Sequence, residues 1–423
     1  MRHQIRFGAI VASATLALTG LATASPATAV VGAPDNARAI VKTGFALNAT
    51  GFGTLVTGGS VPASSDNTAY TAIGCTVRAG VTRSNYEAQV RVPGLGTVRG
   101  VRTKVWTEKK GPVVSSYSTH SIAEVVLADS PLGSLSIEGV RSMSRAFHTG
   151  TSFKTETDTS VAKILFTPPG GGQPQELEIP TPGQPLEIPG LARITIGNEV
   201  SAKIIDGVRA TADAINIRVF PTDTLTKVAH TATKIQKGAP FGTFRGYSAG
   251  TRARGLGETV KSGRTPLSLM PCKGTNGKEL TKAAARVDLG GQIIVRGVDT
   301  NQKARQAKGI GTGYELANIA KVNLGDGALV INAIVAKANV TRKGDGLVRN
   351  ANGTTVGSIV VNGEATSFPD SGVIEIPGLV KIQQKIVRKI KNGISVIALR
   401  LTLLDGSGAV VDLGMAELQV RKG

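Results

Sequence analysis

The sequence predicts an all-β protein built from two tandem, duplicated β-sandwich or barrel-like units in pseudo-two-fold relation. Three observations predict it. The stretch Glu187-Ile188-Pro189-Gly190-Leu191 returns letter for letter as Glu375-Ile376-Pro377-Gly378-Leu379. Short runs in which Val, Ile and Thr alternate with polar residues are separated by Gly, Pro, Asn and Asp clusters, as in strands joined by turns. Glycine is abundant at 53 residues, aromatics are only 4%, and few segments carry a helical period.

Pro-Gly is a common turn dipeptide, so the repeat gains weight only by extension. It extends outwards in conserved order. Phe52-Gly53-Thr54 answers Phe241-Gly242-Thr243, and Cys75 answers Cys272. The offset between those cysteines carries Val98-Arg99-Gly100-Val101 onto Val295-Arg296-Gly297-Val298, and Ile122-Ala123-Glu124-Val125 onto Ile319-Ala320-Lys321-Val322. Leu135-Ser136-Ile137 lies over Leu329-Val330-Ile331, and Lys237-Gly238 over Lys422-Gly423. The units run over 40–238 and 239–423. Each is long enough to bury its own core.

In chain order, residues 30–39 form a polar, flexible lead-in. Phe45 to Ser60 begins the first strands, with Gly51 and Gly53 at bends, and 59–67 is a loop. Cys75 to Val101 holds two or three strands, and Ser121 to Arg145 holds two core strands. In the strand from Ile122, alternation puts Ala123, Val125 and Leu127 on one face; the second copy has Ala320, Val322 and Leu324 there, so this face is expected to be buried. Pro189-Gly190 and Pro377-Gly378 fit type II turns, with Pro second and Gly third, because the third position needs positive φ. They are structural punctuation. Residues 168–185 are a Pro/Gly/Gln-rich insertion with little counterpart in the second unit, a surface loop or a strap over a sheet edge, and Gly250 to Arg264, rich in Gly and Arg, is the mirror case in the second unit. Val380 to Lys391 alternates as a strand.

Residues 1–29 read as a secretory signal peptide: Arg2, His3 and Arg6, then an apolar stretch from Ala9 to Leu21, then Ala27-Thr28-Ala29 before Val30. No later run has the length of a membrane span. No C-terminal anchor is evident, so a released or non-covalently held protein is expected. An exported chain with two cysteines at equivalent places suggests a bridge between Cys75 and Cys272; two buried thiols are the alternative. Net charge is +20. Such a surface suits anionic partners outside the cell. The sharpest cluster is the odd-numbered ladder Lys381, Lys385, Lys389 and Lys391. It is either an anion-binding strip or a solvated face that guards a sheet edge.

No catalytic constellation stands out. The histidines His120, His148 and His230 have Ala317, Arg342 and Met415 in the second copy, and none has metal-ligand spacing. Gly170-Gly171-Gly172 lacks the Lys and helix of a phosphate loop. Asp345-Gly346 and Asp405-Gly406 are turns without a Ca²⁺ ligand set. Trp106 has no aromatic counterpart. No catalytic residue, cofactor or metal is expected.

With the leader, the paired β units, the strands at 122–127 and 319–324, Val360-Val361-Asn362-Gly363, the Ile-Pro-Gly-Leu turn and the late strand from Ile394 to Leu404, the chain resembles the choice-of-anchor P family of actinobacterial exported proteins. The resemblance covers most of the chain beyond the leader. It implies cell-surface localisation and no established enzymatic activity. Similar proteins often carry a C-terminal surface anchor, from which this chain departs.

The sequence therefore points first to a secreted, non-enzymatic, envelope- or surface-associated β-repeat protein that binds anionic cell-wall polymer or envelope proteins, with no specific nucleic acid. A self-assembling extracellular structural protein is the alternative. A secreted hydrolase near His120 or His148 and the 168–185 loop ranks last.

Overall fold

Alternating Val, Ile and Thr produce long strands here, several of fifteen residues. A computed structural model describes residues 39–58, 67–92, 95–127, 131–221, 223–238, 243–256, 260–289 and 292–422. The expected leader and nearly all of the lead-in lie outside the described residues. So do most of the 59–67 loop, Pro93-Gly94, Phe241-Gly242 and part of the 250–264 segment. The described elements are strands, and among the described residues no helix is long and apolar enough to cross a membrane.

The first half of the chain gives β1 (Val41–Gly58), β2 (Thr71–Ala79), β3 (Thr82–Val92), β4 (Gly96–Lys110), β5 (Val113–Leu127), β6 (Ser134–His148), β7 (Phe153–Ser160), β8 (Lys163–Thr167), β9 (Gln175–Leu177), β10 (Leu186–Ile188), β11 (Ala192–Ile204), β12 (Gly207–Val219) and β13 (Thr224–Lys237). The second gives β14 (Thr243–Leu256), β15 (Val260–Leu269), β16 (Leu280–Leu289), β17 (Ile293–Ala307), β18 (Ile310–Leu324), β19 (Leu329–Lys343), β20 (Gly346–Asn350), β21 (Thr355–Val356), β22 (Ile359–Val361), β23 (Glu364–Thr366), β24 (Val373–Ile376), β25 (Val380–Ile390), β26 (Gly393–Leu403) and β27 (Val410–Arg421).

These strands form four antiparallel sheets. Sheet I runs β10-β11-β12-β13-β1-β2, and sheet II runs β3-β4-β5-β6-β8-β9 with β7 also on β6. Sheet III runs β16-β17-β18-β19-β22-β23 with β20 and β21 also on β19, and sheet IV runs β24-β25-β26-β27-β14-β15. Sheets III and IV thus repeat the strand order of II and I. Sheets I and II enclose one core, including Val56, Val98, Ile122, Ile137 and Ile215. Sheets III and IV enclose another, including Val295, Ile319, Ile331, Val396 and Leu413. Each such side chain, fully removed from water, contributes roughly 1.5–3 kcal/mol.

The long strands do not keep one alternation from end to end. In β5, His120 and Ile122 are buried, and so are Val125 and Leu127, so the buried set passes from even to odd numbers. The same slip occurs in β4 at Gly100, in β6 at Gly139, in β17 at Gly297 and in β19 at Ala333. It falls at the same level in neighbouring long strands of a sheet, so their pairing stays one to one across it. Each slip level is a transverse row, of small residues except for Lys385 in sheet IV, in which alternate strands take a left-handed residue. In sheet II, Gly100 (φ 62°) and Gly139 (φ 63°) flank Ala123. In sheet III, Gly297 (φ 60°) and Ala333 (φ 54°) flank Ala320. In sheet I the left-handed pair is Gly197 and Ala229, and in sheet IV it is Lys385 and Gly414. An extra residue in a strand sharpens its bend and twist, and here the bend crosses whole sheets as a crease.

The crease corrects one expectation. Ala123 and Ala320 are exposed, and the buried partners of Val125 and Val322 are Ile122 and Ile319. Strict alternation fails because two residues, Ala123 and Glu124, both lie outside between Ile122 and Val125. A second correction concerns Gly51, which sits inside the continuous strand β1; Gly53, also within β1, lies opposite Ala229 on the crease of sheet I, as a bend there would have it. A Cβ on Gly51 would come 2.7 Å from Thr103 Cγ2, and one on Gly53 would come 2.5 Å from Val101 Cγ1. Their role is close approach between sheets I and II.

At the Pro-Gly turns, Gly190 and Gly378 take φ of 70° and 71°. The amide of Leu191 donates to Ile188 O, and that of Leu379 to Ile376 O, closing each turn. Leu191 then enters the first core. Much of 168–185 is exposed loop, interrupted by the short edge strand β9 on β8.

Candidate binding surfaces

Strand β25 carries the lysine ladder, and the crease divides it. Lys381 pairs with Thr402, which lies between buried Leu401 and Leu403, so Lys381 is on the outer face of sheet IV. Lys389 pairs with the buried core residue Ile394, so it belongs to the opposite face. Lys385 sits at the crease itself (φ 51°), and Lys391 follows the strand. The four lysines therefore do not share one face, contrary to the odd-numbered reading. They are nonetheless all exposed, as is Arg388. Lys381 has Glu375 within 3.8 Å. Among the described residues, Lys385, Arg388, Lys389 and Lys391 have no carboxylate within ion-pair reach. β24 covers β25 only from Val380 to Gln383, so the cationic part of β25 lies beyond that cover.

Cys75 in β2 and Cys272 after β15 form a disulfide, with Cα atoms 5.1 Å apart. Both are buried against Ala46. The bridge joins the two halves, and polar contacts run beside it. Thr243 Oγ1 donates to Cys75 O (3.2 Å), and Lys273 Nζ donates to Asp206 Oδ2 (2.8 Å) and Lys237 O (3.0 Å).

The three histidines lie in three different environments. His120 is buried in the first core, with Nδ1 hydrogen-bonded to Thr103 Oγ1 (2.7 Å) and Nε2 without a partner. Burial, then the neighbouring His230, brings its pKa down to about 3, so it is neutral. His148 packs between Phe45 and Phe153. His230 stacks on Phe52, with ring centroids 4.4 Å apart, and its Nδ1 donates to Asp213 Oδ1 (2.5 Å). Burial raises the pKa of Asp213, but His230 and Lys227 outweigh it and hold the carboxyl below its usual value. Asp213 and His230 make an oriented carboxylate–imidazole pair, yet no hydroxyl or thiol hydrogen-bonds to that imidazole among the described residues. Among the described residues, the one hydroxyl that bonds a histidine, on Thr103, is fully buried. Among the described residues, no group of three or more His, Cys, Asp or Glu could hold a metal ion.

The outer faces of sheets II and III differ at one equivalent row. In sheet II, Trp106, Tyr117 and Arg145 are cross-strand neighbours. The two rings stack 4.6 Å apart, and the Arg145 guanidinium lies 4.9 Å from the Tyr117 ring. In sheet III the row is Lys303, Tyr314, Asn339 and Asn350. Without the Trp and Arg, it leaves an open groove of about 460 Å³. Lys337 Nζ lies 4.7 Å from the Tyr314 ring, and Tyr314 OH donates to Glu279, so neither ring nor hydroxyl is vacant.

No family model and no curated protein matches the chain.

Proposed function

We propose that this is an exported, non-enzymatic β protein of the cell envelope or surface, which holds anionic envelope polymer through exposed cations. The observation that carries this reading is β25: Lys385, Arg388, Lys389 and Lys391 are exposed and lack carboxylate partners among the described residues. Uncompensated cations on an accessible strand attract polyanions, and that attraction weakens with salt. The disulfide supports an oxidising compartment. The signal peptide, the tandem duplication and the affiliation with the choice-of-anchor P family belong to the same proposal. The matching strand orders of the two halves support the duplication. Lysines beside an incompletely covered strand disfavour edge-to-edge self-assembly at that place.

The test is co-sedimentation of the chain from Val30 with isolated envelopes at low and high salt, beside a Lys381→Gln/Lys385→Gln/Lys389→Gln variant. Binding that drops with salt and in the variant supports the reading. Binding indifferent to both overturns it in favour of protein partners or self-association.

A further inference from the structure

A second cationic site lies where the two halves meet, and it does not depend on β25. Arg78 in β2 and Arg83 in β3 come from the first half; Arg245 in β14 and Arg421 in β27 come from the second. Lys42 lies directly opposite Arg78 across β1 and β2. Arg83 Nη1 donates to Ala72 O of β2 (2.9 Å), which draws its guanidinium over that strand. Arg245 reaches β2 from the other half: a Cβ on Gly74 would come 2.7 Å from both its Cδ and its Nε. A side chain at 74 would push the arginine's flexible end aside. Arg421 pairs with Thr243, whose hydroxyl is fixed to Cys75 O beside the disulfide. Lys42, Val77, Arg78 and Lys422 line a cleft of about 390 Å³ at this junction.

The charges here are not balanced within the fold. Lys422 is paired with Asp345 (2.7 Å). Among the described residues, Lys42, Arg78, Arg83, Arg245 and Arg421 have no carboxylate within ion-pair reach. Arg421 is partly buried; burial, then Arg245, Arg83 and Arg78, pulls its pKa below the usual guanidinium value. Like charges gathered around the partly buried Arg421 oppose folding, and they call for a compensating charge. An anion supplies one. Guanidinium groups present paired N–H donors that match tetrahedral oxyanions, and a carboxylate's single charge would leave most of the cluster unbalanced.

We propose that this arginine cluster between β2, β14 and β27 binds a phosphate-bearing polyanion, with Arg78, Arg245 and Arg421 as its principal ligands, Arg83 at its margin, and the cleft lined by Lys42 and Arg78 beside it. Because the ligands come from both halves, the site exists only while the halves are held in register beside the Cys75–Cys272 bridge.

The experiment is titration calorimetry of the oxidised chain with inorganic pyrophosphate and with inorganic phosphate at low salt. The site predicts that pyrophosphate binds more tightly than phosphate and that added salt weakens both. Arg245→Gln/Arg421→Gln loses roughly ten-fold or more in affinity, the size expected for losing one or two charge-assisted hydrogen bonds. Arg78→Gln, at an exposed position that cannot threaten the core, also weakens binding. Lys385→Gln/Lys389→Gln does not change it. The melting temperature of the unliganded double arginine variant is no lower than the parent's, since repulsion has been removed. Absence of binding heat overturns the proposal. So do unchanged affinity in both arginine variants and an equal loss in the lysine variant. Envelope binding that fails while pyrophosphate still binds removes the β25 reading and leaves this site standing.

Discussion

Gly100 and Ala123 face each other across β4 and β5 with room for one methyl group between them. A Cβ on Gly100 would stand 2.7 Å from the Ala123 Cβ, and the second half repeats this distance between Gly297 and Ala320. Both glycines also need positive φ. Gly100→Val and Gly297→Val should therefore each destabilise the protein by about 2–4 kcal/mol, from left-handed strain and steric overlap together. Ala333 occupies the same left-handed position without being glycine. Ala333→Gly should stabilise by up to about 1 kcal/mol, as relief of that strain slightly exceeds the entropy glycine loses. Denaturant unfolding of the three variants measures both directions. A tolerated valine at both glycine positions would mean the crease is not sterically fixed.

The all-β class was legible because composition, alternation and turn residues agree, and the Pro-Gly turns have residues that demand their geometry. The crease was not legible. Strict period-two reading placed Ala123 inside and aligned Lys381 with Lys389, since nothing in a single strand announces a skipped residue. Sequence comparison between the halves held the signal: Gly100 and Gly297 sit at matching places, and Gly139 matches Ala333. The junction arginines were missed for another reason. Arg78, Arg83, Arg245 and Arg421 are far apart in sequence, and only the approach of β2 to β14 brings them together. The two cysteines were the one local hint that these segments meet.

His120 makes stability sensitive to acid. Its unfolded-state pKa is near 6.5 and its folded-state value about 3, so between those values the unfolded chain binds a proton that the folded chain does not. Stability is complete above pH 6.5 and falls as pH drops towards 3. The loss by pH 4 is on the order of 3 kcal/mol. His120→Leu removes the titration and should flatten this part of the profile, while costing something at neutral pH because Thr103 Oγ1 loses its partner. Denaturant stabilities at pH 7 and pH 4 decide it; parallel losses in parent and variant would show that His120 is not the group responsible.

Glu315 has the opposite sign. It is fully buried, accepts a hydrogen bond from Ser248 Oγ (2.8 Å), and has no partner at Oε1. Burial raises its pKa well above the ordinary carboxyl value, outweighing the Ser248 hydrogen bond that lowers it. The folded protein keeps this proton at pH values where the unfolded chain has released it, so stability falls as pH rises above the unfolded value of about 4.5. Glu315→Gln keeps an acceptor for Ser248 and abolishes the titration. It should match the parent near pH 4 and exceed it at pH 7, with a gap that widens between them. A variant less stable than the parent at both pH values would show that the carboxyl is held for a reason other than shape.

The Cys75–Cys272 bridge joins two halves that each enclose a core of their own, so its removal should change cooperativity as well as stability. The closed loop spans 197 residues, and loops of this length gain most from cross-linking in the chain-entropy view. Cys75→Ser/Cys272→Ser should lower stability by about 2–4 kcal/mol. It should also split one calorimetric transition into two, because the bridge, the Thr243–Cys75 hydrogen bond and the Lys273 contacts lie together at the same junction. Strand content by far-ultraviolet circular dichroism should stay unchanged at 25 °C, since neither core contains the bridge. Calorimetry of the oxidised parent, the reduced parent and the serine variant reads the effect. A single transition of unchanged midpoint in all three would mean that packing between the halves, and not the covalent link, holds them together.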